Sequence, residues 1–168
     1  MTQAKPLTMN PEPPKARIDD RLAELGITLP IAAAPVAAYV PAVEAGGLLH
    51  ISGQLPFRDG AVMVGRLGED RDLAYGQEAA RACGLMLLAQ MKLALGSLDR
   101  VTQVVKLGVF INSDGRFTDQ PKVANGASEL MVDVFGDSGR HARAAVGVPT
   151  LPLGAVVEVD AVVAVTPA

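Results

Sequence analysis

The plainest hydrophobic pattern in the chain lies near its end. Val157, Val159, Ala161, Val163 and Val165 fall on one side of an extended strand, while Val156, Glu158, Asp160, Val162 and Ala164 fall on the other. The first set is a face for helices to cover. The second is half valine yet carries two acids, which suits a surface between subunits with polar sites embedded in it. Upstream, Ile18 to Leu25 has helical apolar spacing and stops at Gly26. Pro30 and Pro35 force an extended link, and Val36–Val43 and Leu48–Ser52 read as strands joined by a hairpin at Glu44-Ala45-Gly46-Gly47. A second turn at Phe57 to Ala61 leads into Val62-Met63-Val64. Asp72 to Leu95 is a long helix with so little polar surface that it needs a second partner, another helix or another subunit. Val101–Ile111 reads as a central strand covered on both faces, and a second long helix follows from about Phe117 to Phe135, stopped by Gly136. The segment His141 to Val148 is a further strand, with Arg143 at its start.

This order predicts an α+β fold, a mixed β-sheet with two long helices packed on one face. At 168 residues the chain fits one domain, taken as residues 17–168. Prolines 6, 11, 13 and 14 make residues 1–16 a disordered N-terminal arm. Aromatic residues are 4% of the chain and Trp is absent, so the core has to be built from Val, Leu, Ala and Met. A net charge of −3 with no basic stripe argues against a nucleic-acid partner. A lone Cys83 leaves no internal disulfide and reads as cytoplasmic. Two histidines and one cysteine are too few for a structural zinc. With no long apolar run and no apolar leader, neither a membrane span nor a signal peptide is expected. No phosphate-binding glycine loop opens a helix, so no nucleotide cofactor is implied.

Two charges carry the candidate chemistry. Arg143 offers a planar pair of donors to a substrate carboxylate; the plain alternative is a surface arginine ending a loop. Glu158, set in a valine strand, can orient or activate a water; the alternative is a structural partner of Lys106 or Arg143. An arginine and a glutamate flanking one pocket suit a small anionic substrate and a positioned water. Asp160 reads as a solvated or interface charge; His141, two residues before Arg143, could line the same pocket, though a role outside it is the plainer reading. Gly136-Asp137-Ser138-Gly139, with His50 before it, matches a serine-protease motif, but a chain this short with two long helices favours a simple loop. Cys83 and His50 read as structural.

Taken in order, several segments resemble the RidA/YjgF family, also called L-PSP endoribonucleases or translation-initiation inhibitors. They are Tyr39, Ile51-Ser52-Gly53-Gln54-Leu55-Pro56, Leu98-Asp99-Arg100-Val101, Asn125, Arg143 to Val148, Leu151-Pro152 and Val157 to Ala161, within about residues 35 to 165. The resemblance implies a chorismate-mutase-like fold assembled as a homotrimer with clefts between subunits. It also implies cofactor-free hydrolysis of reactive enamine or imine intermediates of small 2-keto acids. Arg143 would bind the carboxylate. Glu158 and the main-chain carbonyl of Ala145 would hold the attacking water, and Tyr39, Ser52, Gly53 and Asn125 would shape the cleft. The alternatives are a non-catalytic trimeric module binding a metabolite or partner, and an endoribonuclease. Ala144 and Ala145 stand where members commonly carry Ser and Cys, Ala38-Tyr39-Val40-Pro41 replaces Pro-Tyr-x-Gln, and the loop before Arg143 is longer.

Overall fold

The computed structural model describes residues 17–33 and 38–167. The expected arm and the first part of the expected 36–43 strand lie outside the described residues. The elements are α1 (Ile18–Glu24), β1 (Ala42–Ala45), β2 (Leu48–Gln54), β3 (Phe57–Arg58), β4 (Ala61–Val62), α2 (Leu73–Leu95), β5 (Val101–Asn112), α3 (Gln120–Phe135), β6 (Ala142–Val148) and β7 (Val157–Val165). Five strands form one sheet in the order β1-β2-β7-β5-β6, and β3 and β4 form a small separate hairpin. Only β5 and β6 pair in parallel; the other neighbours are antiparallel. The sheet is therefore mixed, as the pattern predicts.

Both long helices lie on the face formed by Val157, Val159, Ala161 and Val163 of β7 with Leu107, Val109 and Ile111 of β5, all buried. The second partner that α2 requires is α3. Close approach needs missing side chains: a Cβ at Gly126 of α3 would strike the Gln77 carbonyl of α2, and one at Gly84 of α2 would press on Leu130. Asp72 caps α2, its carboxylate accepting from Tyr75 N–H at 2.9 Å. Among the described residues, no helix is long and apolar enough to cross a membrane.

The sequence reading needs three corrections. First, β1 begins at Ala42 rather than Val36; Ala38 to Pro41 form a bend, and Pro41 has no N–H to give a ladder. The strand then runs on through Ala45, so the turn is only Gly46-Gly47, at φ 59° and 77°, the pair of positive values that a two-residue hairpin needs. Second, β5 does not keep one alternation. Bulges between Val101 and Gln103 and between Val104 and Lys106 shift its phase, so that Val101, Val104, Leu107, Val109 and Ile111 are the buried set. Third, β5 is covered on one face only within a single chain. Its outer face, with Lys106 and Phe110, belongs to a sheet surface where Val43 is 50% and Val146 45% exposed.

Candidate functional site

Pairing register decides where the two charges point. On β5, Leu107 stands opposite Arg143 of β6, and Phe110 stands opposite both Val146 of β6 and Glu158 of β7. Leu107 and Phe110 are three residues apart on regular strand, so they face opposite ways. Arg143 therefore leaves the edge strand on the helix side, and Glu158 rises from the other face. Within one chain the two do not share a pocket, so a cleft flanked by both would have to lie between copies, as the family resemblance implies.

Arg143 is held by the first turns of α3. Its Nη1 donates to Asn125 Oδ1 at 2.9 Å and to Ser128 Oγ at 3.0 Å, and its Nη2 donates to the Pro121 carbonyl at 3.2 Å. Pro121, Asn125 and Ser128 are spaced by four and three residues, so they line one face of the helix. Three of the five guanidinium hydrogens are thus engaged. The side chain is exposed, and no partner for Nε stands among the described residues. Ala145 is on the same side of β6, opposite Val109 and half-buried.

Glu158 is built from a different set of elements. Between Ile51 and Gln54 of β2 a bulge leaves Ser52 and Gly53 outside the ladder with β7. The Glu158 carboxylate lies against Gly53 so closely that a Cβ there would occupy the place of Oε1. Gln54, buried, holds the bulge from beneath: its Nε2 donates to the Ser52 carbonyl at 2.9 Å and to the Gly53 carbonyl at 3.2 Å. Its Oε1 accepts from Gln90 of α2 at 3.3 Å, and Gln90 also donates to the Ala33 carbonyl at 2.7 Å. Ser52 Oγ donates to the Val40 carbonyl at 3.0 Å, which fixes the bend carrying the half-exposed Tyr39 beside the bulge.

Burial and, after it, the nearby Asp160 carboxylate push the Glu158 carboxyl above the ordinary range. Asp160 in turn accepts from the Gly108 N–H at 3.0 Å. Glu158 forms no ion pair with Lys106 or Arg143, the partners its structural reading required; Lys106 stands opposite Val162. Replacing Asp160 by Asn keeps an acceptor for Gly108 and removes the charge. Glu158 then ionises more readily, so the limb of a pH–rate profile that rises as Glu158 loses its proton should move to lower pH. An unmoved limb in Asp160→Asn would show that Glu158 does not set it.

The seven candidate residues thus fall into two half-sites, Arg143 with Asn125 and Ala145, and Glu158 with Gly53, Ser52 and Tyr39. A cavity of about 630 Å³ between α1 and α2, lined by Asp19, Leu22, Ile27 and Lys92, touches neither. His141 reaches Ser128, the last of the Arg143 anchors along α3, rather than open space. Sequence reasoning missed Ser128, Pro121, Gln54 and Gln90. The 121-125-128 spacing around Asn125 was a signal for the first two, and a glutamine in the apolar second half of α2 was a signal for the last. Cys83 is fully buried, its Sγ 3.6 Å from the Val157 carbonyl, and burial holds its thiol well above the usual range. Ser138 sits in a short 3₁₀ turn after α3 and makes no hydrogen bond with His50, which is exposed on β2.

A mixed sheet with both long helices on one face makes this an α+β protein, consistent with the chorismate-mutase-like fold. The chain belongs to the YjgF/chorismate mutase-like family, described provisionally as endoribonucleases, whose model matches residues 19–164. It is 57% identical over 149 residues to Protein TCP17 of Trypanosoma cruzi, covering 88% of this chain and 93% of that one. It is 28% identical over 142 residues to a 2-iminobutanoate/2-iminopropanoate deaminase of Dermatophagoides farinae, covering 83% and 94%. Among solved structures it is similar to the protein Atu1372 of Agrobacterium tumefaciens, of unknown function, with TM-score 0.82, 48% identity and coverage of 89% and 92%.

Proposed function

We propose that the protein is a cofactor-independent deaminase of small 2-imino and 2-enamino acids, working at clefts between the copies of a homotrimer. The observation that carries this reading is the split site. Arg143 keeps unengaged donors on the helix side of an edge strand, while a half-buried Glu158, its pKa raised by that burial, stands on the opposite face. A second copy laid against the bare sheet face and open β6 edge would join one chain's Arg143 to its neighbour's Glu158. The half-apolar outer face and the deaminase relative support the same assembly.

In the cleft so formed, Arg143 holds the substrate carboxylate by two parallel hydrogen bonds. Glu158 and the Ala145 carbonyl hold a water against C2. The reacting form is the protonated imine, to which an enamine tautomerises; ionised Glu158 takes a proton from the water as the C–O bond forms, giving a neutral carbinolamine. It returns that proton to nitrogen, and as the C–N bond breaks the hydroxyl proton passes to the departing ammonia, releasing ammonium and the 2-keto acid. A carboxyl with a raised pKa suits both steps, since each needs the opposite protonation state. Residues Tyr39 and Ser52 wall the pocket, and no step calls for a metal or cofactor.

The test is keto-acid release from 2-aminoacrylate generated in place by a dehydratase. The protein should accelerate it over the spontaneous rate, and Arg143→Ala should lower kcat/KM by about 10²-fold or more. Equal acceleration by wild type and Arg143→Ala would sink the assignment. Saturable carboxylate binding with no turnover would make the protein a binding module instead.

A further inference from the structure

We infer that Ser128 and His141 are positioning residues that set the orientation of the Arg143 guanidinium, an inference resting on Arg143 as the carboxylate anchor. The geometry fixes the direction of every hydrogen bond in the chain that leads to it. His141 Nδ1 is 2.6 Å from the Gly139 carbonyl, which can only accept, so Nδ1 carries the proton. In the neutral imidazole His141 Nε2 is then an acceptor, and it lies 2.9 Å from Ser128 Oγ. The Ser128 hydroxyl donates to it, which turns the oxygen's lone pairs outward to receive Arg143 Nη1 at 3.0 Å. Without the imidazole, nothing prevents the Ser128 hydroxyl from rotating back toward a carbonyl of its own helix, as mid-helix serines do.

The result is a rigid orientation rather than one more surface contact. With Nη1 spent on Asn125 and Ser128, and one Nη2 hydrogen on Pro121, the donors left are Nε–H and the second Nη2–H. These lie along one edge of the guanidinium, the parallel pair that receives a carboxylate side-on. The other edge is closed by α3. Gly139 is itself fixed: it is buried, and a Cβ there would collide with the Met131 backbone. His141 is therefore held by the 3₁₀ turn that follows α3, Ser128 by the middle of α3, and the two meet just before the first residue of β6.

The assignment is tested on the full-length protein with Ser128→Ala, Ser128→Thr, His141→Leu and His141→Gln. The readouts are the side-chain nitrogen NMR signals of Arg143 and steady-state kinetics on 2-aminoacrylate. Ser128→Ala and His141→Leu should speed rotation about the Arg143 Cζ–Nε bond. Each should raise KM about tenfold while kcat changes by less than about threefold, the pattern of a substrate held less well rather than a lost chemical step. Ser128→Thr and His141→Gln, which restore a hydroxyl and an acceptor, should return both readouts toward wild type. Unchanged Arg143 signals and KM in Ser128→Ala, or in a folded His141→Leu, would overturn the assignment, as would a fall in kcat alone. If wild type turns over no imine, the deaminase reading fails, but the Arg143 signals still decide the positioning role.

Discussion

Mixing unfolded Arg143→Ala and Glu158→Ala chains and refolding them together is expected to restore deaminase activity that neither variant has alone. Each variant lacks one half-site but carries the other intact. If a cleft draws Arg143 from one copy and Glu158 from the next, random assortment makes about a quarter of clefts whole, so about a quarter of wild-type activity returns. Strand register separates the two side chains within one copy. Leu107 and Phe110 of β5 face opposite ways, and they are the partners of Arg143 and Glu158. Should both residues serve a cleft within one chain, every mixed assembly would stay dead, because each chain would bring a damaged site. Activity measured against the mixing ratio separates the two outcomes, and a flat zero would refute a site shared between copies.

Gly53→Ala is expected to fold normally and to lose about 10²-fold in kcat, the scale on which an ångström of misplacement of a reacting group is felt. The three atoms nearest the added methyl all belong to the Glu158 side chain. Glu158 is the end of a flexible side chain, so it swings aside at little cost to the fold, and the water it holds loses its place. The thermal midpoint should move little, whereas a methyl thrust into backbone would lower it sharply. Wild-type kcat in Gly53→Ala would mean that the carboxylate position seen here is not the working one.

Much of this was legible in the residue pattern, for stated reasons. The alternation in β7 named the covered face and put Glu158 and Asp160 together on the other, because a strand's period of two leaves no freedom. The long apolar α2 announced a second partner. The direction of Arg143 was not legible. His141 to Val148 is almost all alanine, valine and glycine, so either face looks equally apolar and only the pairing with β5 decides. The β5 bulges were hidden for a related reason: a run of valines reads the same in either phase. Gln54 was quoted within a motif, yet its work is done through hydrogen bonds to main-chain carbonyls of the preceding two residues, which no side-chain pattern records.

Gln90 sets a limit on how this core can improve. It is a buried amide in a helix whose other buried residues are Ala, Leu, Met, Gly and Cys83, and an apolar residue there would look like better packing. Such a replacement would free the Gln54 side chain that grips the Ser52-Gly53 bulge, and with it the seat of Glu158. Selection for a hardier fold and selection for a working cleft thus pull in opposite directions at a residue that touches no substrate.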